Sequence, residues 1–100
     1  MPTPIATVRQ LCTSTEVNLV SQSRLPALRG LSAAKLDQLI QRARRLRDTY
    51  RDKARQQRRE ERGKSAPKGA RPAQGNERTV KKEEIFAEAL ERFQQRRATL

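Results

Sequence analysis

From Ala33 to Arg62 the chain runs thirty residues without a proline or a glycine, in a composition that favours helix throughout. A continuous helix over about 33–62 is roughly 45 Å long at about 1.5 Å per residue. The rest of a 100-residue chain has to be arranged around such a rod. Its start is well marked: Ser32 is a good N-cap, and Leu31 before it is spaced to staple onto Leu36. Gly63 stops it.

On a projection of about 100° per residue, Leu36, Leu39, Ala43, Leu46, Tyr50 and Ala54 share one side of this helix, with Ile40 at the edge. The seam is continuous from 36 to 50 and then fades, because Lys53, Gln57 and Glu61 do not extend it. The first half is therefore expected to pack on other helices. The second half, from about Arg51, has nothing comparable to bury, and the sequence predicts that a ligand is needed to order it.

Two short helices, near 5–12 and 14–22, precede the rod. Thr3-Pro4 reads as an N-cap followed by proline at the first helical position. Thr13-Ser14-Thr15-Glu16 is a capping-box pattern, in which hydroxyl and carboxylate satisfy each other's orphan amides. Leu25-Pro26-Ala27-Leu28-Arg29-Gly30 reads as a turn, with Gly30 suited to a left-handed C-cap. Residues 64–76 hold two Pro, two Gly and no large apolar side chain, and read as an extended basic linker. A last amphipathic helix is expected over about 79–97, capped by Asn76 or Thr79, with Ile85, Phe86, Ala89, Leu90 and Phe93 on its apolar stripe.

The fold class expected is all-α, a single domain with residues 1–63 as its helical core and 77–100 folding back onto it. The expected core is Val8, Leu11, Val17, Val20, Leu28, Leu36, Leu39, Ile40, Ala43, Leu46, Ile85, Phe86, Leu90 and Phe93. It is thin for the chain's length, which makes a homodimer through the seam an expectation as well.

Residue types decide which chemistry is open. His and Trp are absent, Cys12 is the one cysteine, and the only aromatics are Tyr50, Phe86 and Phe93. No imidazole chemistry, His/Cys zinc site or intrachain disulfide is possible. The sequence predicts no enzyme, no metal and no cofactor. The single thiol and the lack of a secretory pattern at Met1-Pro2-Thr3-Pro4-Ile5 suggest a cytoplasmic setting, at a nucleoid or ribosome if bacterial, and nothing suggests a membrane partner. Cys12 reads as a partly buried small hydrophobe.

Charge points elsewhere. Lys and Arg number 23 against 11 Asp and Glu, a net +12, and residues 31–63 alone carry +6. Along the rod, Arg44, Arg47, Arg51, Arg55, Arg58 and Arg62 are spaced 3, 4, 4, 3 and 4, forming a band beside the apolar seam. Like charges so placed cost a few tenths, about 0.2–0.5 kcal/mol, per pair. Asp48 and Asp52 offer the only nearby relief. A row of planar guanidinium forks suits bidentate phosphate contact. Lys64, Lys68 and Arg71 continue the positive charge without an acid between them. These nine cations are the candidate nucleic-acid-binding residues. A solvated face of a coiled-coil helix is the plainer reading of any charge run. The single sign of the row, the basic linker and the overall charge favour binding.

Other motifs carry less. Gly63-Lys64-Ser65 lacks the earlier glycine of a phosphate loop, since position 58 is Arg. Pro67-Lys68-Gly69-Ala70-Arg71-Pro72 resembles an AT-hook core, but Ala70 interrupts it, so a basic linker is the better reading. Glu83, Glu84, Glu88 and Glu91 read as a face that neutralises the arginine row rather than as paired catalytic carboxylates. Tyr50, on the seam, reads as core. No family signature emerges.

The functional expectation is a nucleic-acid-binding protein that contacts the phosphate backbone with little base specificity, DNA slightly ahead of RNA. Six contacts to B-DNA imply a slope of about −5 in log K against log salt, and changing Arg51, Arg55 and Arg58 to Gln should flatten it by roughly 3. The alternative is a helical adaptor whose basic face binds an acidic protein.

Overall fold

A computed structural model of the protein describes residues 2–63 and 72–100, and for 60–63 and 72–76 the backbone alone. The chain is all-α: α1 (Ile5–Leu11), α2 (Ser14–Gln22), a 3-10 turn (Ala27–Gly30), α3 (Ala33–Gly63) and α4 (Pro72–Ala98), with no strand among the described residues. Helices α3 and α4 form an antiparallel hairpin. Asp37 pairs with Arg97 near one end, and Tyr50 stacks on Phe86 further along. The molecule is an elongated body of 53 × 23 × 23 Å, its long axis set by the 31 residues of α3.

The starts of α2 and α3 form as their sequences dictate. The Thr13 hydroxyl accepts from the Glu16 N–H while the Glu16 carboxylate accepts from the Thr13 N–H, completing the capping box. The Ser32 hydroxyl accepts from the Lys35 N–H, and its carbonyl accepts from Leu36. The start of α1 differs from expectation. Pro4 is its N-cap, because Thr3 is drawn away to α4, where its N–H and hydroxyl both donate to the Glu88 carboxylate at 2.8 and 2.9 Å. Gly30 does not adopt a left-handed backbone; it closes the 3-10 turn, and Leu31 leaves it in extended conformation.

The last helix begins seven residues earlier than Thr79, at Pro72. Proline is tolerated there because a first-turn N–H has no helical partner to lose. Asn76 and Thr79 therefore lie inside α4, not at its cap, and residues 72–76 are helix rather than linker. The early start changes the account of the second half of α3. That half is not left bare: Ala54 is fully buried and Thr79 is 6% exposed, so the hairpin contact continues past the end of the seam.

The core is the expected one with additions. Val8, Leu19, Val20, Leu28, Leu36, Leu39, Ala43, Ile85, Phe86, Ala89, Leu90 and Phe93 form one cluster, with Leu11, Val17, Ile40, Leu46 and Tyr50 packed against it. Of the α3 seam, Leu36, Leu39, Ala43 and Ala54 are fully buried within the chain, while Ile40, Leu46 and Tyr50 keep partial exposure. The short helices lean on α4 more than on the first half of α3, and polar contacts hold them there. Arg24 donates to the Thr3 carbonyl, Arg92 to the Ser23 hydroxyl, and Arg96 to the Arg29 carbonyl. Partial burial, and Arg24 beside it, draw the Arg92 pKa down despite Glu88.

Candidate nucleic-acid interface

The arginine row sits on α3, a single unbroken helix from Ala33 to Gly63. It is unbroken because no Pro or Gly interrupts it before Gly63 and α4 packs along it. From Arg44 to Arg58 the row runs about 21 Å at 1.5 Å per residue. Arg44, Arg55 and Arg58 are exposed, and no acidic side chain among the described residues pairs with them. Arg47 and Arg51 are half-buried and share one carboxylate: Asp48 Oδ1 accepts from Arg47 at 2.9 Å and from Arg51 at 3.0 Å. The Arg62 side chain, and Lys64, Lys68 and Arg71, lie outside the described residues, as do all but the ends of the Gly-Lys-Ser and AT-hook-like segments.

The glutamates of α4 do not neutralise this row. Glu84 pairs with Lys81, Glu88 with Arg92 and Thr3, and Glu91 accepts from Gln95. The cause is helical phase. The contacts made by Glu88 and Arg92 place that side of α4 under the N-terminal segment, away from the arginines of α3. Electrostatic relief of the row is therefore local and partial, with Asp48 serving two of its members.

The structure also brings together a group of side chains distant in the sequence. Tyr50 stacks on Phe86 at 5.6 Å, its hydroxyl donates to Glu16 Oε2, and Lys82 Nζ lies 2.7 Å from that hydroxyl and 3.1 Å from Glu16 Oε1. Lys82 also lies over the Tyr50 ring, 4.2 Å from its centre. Burial alone would push the Glu16 carboxyl up, but hydrogen bonds from Tyr50, Thr13 and Lys82 hold it below the usual range. Burial likewise works against the Lys82 ammonium, and Tyr50 and Glu16 outweigh it. Tyr50 is pushed up by burial and by Glu16, so it stays a neutral phenol. The cluster is a structural clasp between α2, α3 and α4. Separations of 34 and 32 residues hid it from any local pattern.

Cys12 is half-buried among apolar neighbours, and burial and Glu16 push its thiol up, away from a reactive thiolate. Among the described residues no three His, Cys, Asp or Glu side chains are grouped to hold a metal ion, and no helix is long and apolar enough to cross a membrane.

No protein-family model, no curated protein and no solved structure matches the chain. Phe86 and Phe93 are fully buried, and the half-buried Tyr50 has its ring faces taken by Phe86 and Lys82. The cationic surface thus has no aromatic platform on which unpaired bases could stack.

Proposed function

We propose that this protein binds duplex nucleic acid, DNA ahead of RNA, by laying the arginine edge of α3 along a phosphate backbone. The observation that carries the reading is that Arg44, Arg55 and Arg58 stand exposed on one unbroken helix without an acidic partner among the described residues. A row about 21 Å long passes roughly six phosphates of one strand, given a spacing of about 3.4 Å per phosphate along the axis. Arg47 and Arg51 stand between them and exchange a shared carboxylate for phosphate oxygens. The fork of each guanidinium suits those oxygens, and nothing in the row reads base edges, so affinity is expected to exceed sequence preference.

Counterion release provides the test. Counting Arg62 and subtracting Asp48, the row offers a net charge of about five, so binding to a B-DNA duplex should fall with a slope of about −4 to −5 in log K against log salt. Fluorescence anisotropy with a labelled duplex, titrated across salt concentrations, reads this slope. Single strands of the same length should bind more weakly, since no aromatic surface receives their bases. Salt-independent binding, or tight capture of one acidic polypeptide with only weak retention of duplex, would instead identify the basic edge as a protein-docking face.

A further inference from the structure

We infer that α3 carries a second phosphate-contacting surface on its opposite side, at the cleft between α2 and α3, and that the protein bridges two duplex segments. The inference rests on the reading of the arginine edge and extends it. The cleft has a volume of about 320 Å³ and is lined by Thr13, Thr15, Glu16, Arg42, Arg45 and Leu46. Arg42 and Arg45 are exposed, and neither has an acidic partner among the described residues. On α3 they lie about 120–180° around from the midline of the arginine row, at about 100° per residue. One polyanion laid along the row therefore does not reach them.

The chemistry of the cleft suits an oxyanion. Two cationic forks stand on one wall and the side chains of Thr13 and Thr15 on the other. The one carboxylate present does not oppose this. Glu16 is only 7% exposed and engaged by Thr13, Tyr50 and Lys82, the last an ammonium 3.1 Å away that offsets its charge. Lys53, also exposed, continues the same side of α3 about 16 Å further along, at 1.5 Å per residue from Arg42. In helical phase Asp48 and Asp52 fall between the arginine row and this side, with the exposed Arg59 beside them, while Asp37 falls within the band of the row. An α-helix with its side chains is about 10–12 Å across, so the two sides of α3 present their cations in different directions, one to each of two duplexes.

The experiment pairs a bead-immobilised B-DNA duplex with a second, fluorescent duplex and measures how much of the second is retained by the full-length protein. Binding to a single duplex is measured alongside by anisotropy. The wild type is expected to retain the second duplex. The double variant Arg42→Gln/Arg45→Gln is expected to bind one duplex within about threefold of the wild type yet retain at least tenfold less of the second. Retention by the variant equal to wild type, or single-duplex binding by the wild type with no retention, overturns the second surface while leaving the arginine edge standing. Loss of single-duplex binding by the wild type overturns both. Circular dichroism of the variant keeps the outcome interpretable, and both positions are exposed, so the helical signal is expected to be unchanged.

Discussion

Tyr50 shows how much one side chain can join. Its ring belongs to the hairpin core, while its hydroxyl links an acid from α2 to a base from α4. Replacing Tyr50 with Phe keeps the stack on Phe86 and removes that link; a loss of about 1 kcal/mol in urea unfolding is expected, with duplex binding unaltered. Glu16 adds a pH dependence whose sign is fixed by its lowered pKa. A carboxyl that ionises more readily in the folded state stabilises it above the ordinary value of about 4.3, and that contribution disappears as pH falls through the folded value. The stability difference between the wild type and Glu16→Gln should therefore be largest near neutrality and close below about pH 4. A difference that stays constant from neutral to acid would show that the charge of Glu16 has no part in the clasp. Lys82, with its raised pKa, gives the mirror case: its contribution is full below the ordinary value of about 10.4 and is lost as pH rises through the higher folded value. Tyr50 was legible in the sequence as a seam residue. Its partners were not, because hydrogen bonds across 32 and 34 residues leave no periodic trace.

At the scale of elements, the hairpin depends on small side chains where α3 and α4 meet. Ala43, Ala54 and Ala89 have no exposed surface, and a larger side chain there forces the helices apart. Ala89→Leu should cost about 1–3 kcal/mol of stability by overpacking, read as a lowered urea midpoint. Ser32→Ala should cost about 1 kcal/mol by removing the cap on Lys35 N–H. Caps and stripes of this kind are what a sequence displays openly, which is why the starts of α2 and α3 and the apolar stripe of α4 could be read in advance. The start of α4 could not. Pro72 and Gly75 look like linker when judged by composition, yet the backbone is helical from Pro72 onward. The same omission made the second half of α3 look unsupported.

For the whole molecule, two arrangements follow from where the arms pack. The N-terminal segment is fastened to α4 through Thr3 and Glu88, which engages Glu88 on a side of α4 turned from the arginine edge. The row itself was legible from spacing alone; how much of it is free was not, since Asp48 claims Arg47 and Arg51 by side-chain geometry that a helical projection does not resolve. The cleft lined by Arg42 and Arg45 was likewise invisible until α2 was placed against α3.

The central claim is that position on α3, and not net charge, determines phosphate binding. Two triple variants with the same net charge test it. In one, Arg44, Arg55 and Arg58 become Gln; in the other, Arg9, Arg29 and Arg78, which are exposed elsewhere, become Gln. The salt slope of duplex binding should flatten by about 2.7 in the first and stay within about 0.5 of the wild type in the second. Equal flattening in both variants would contradict the account, because the chain would then bind by its overall charge alone.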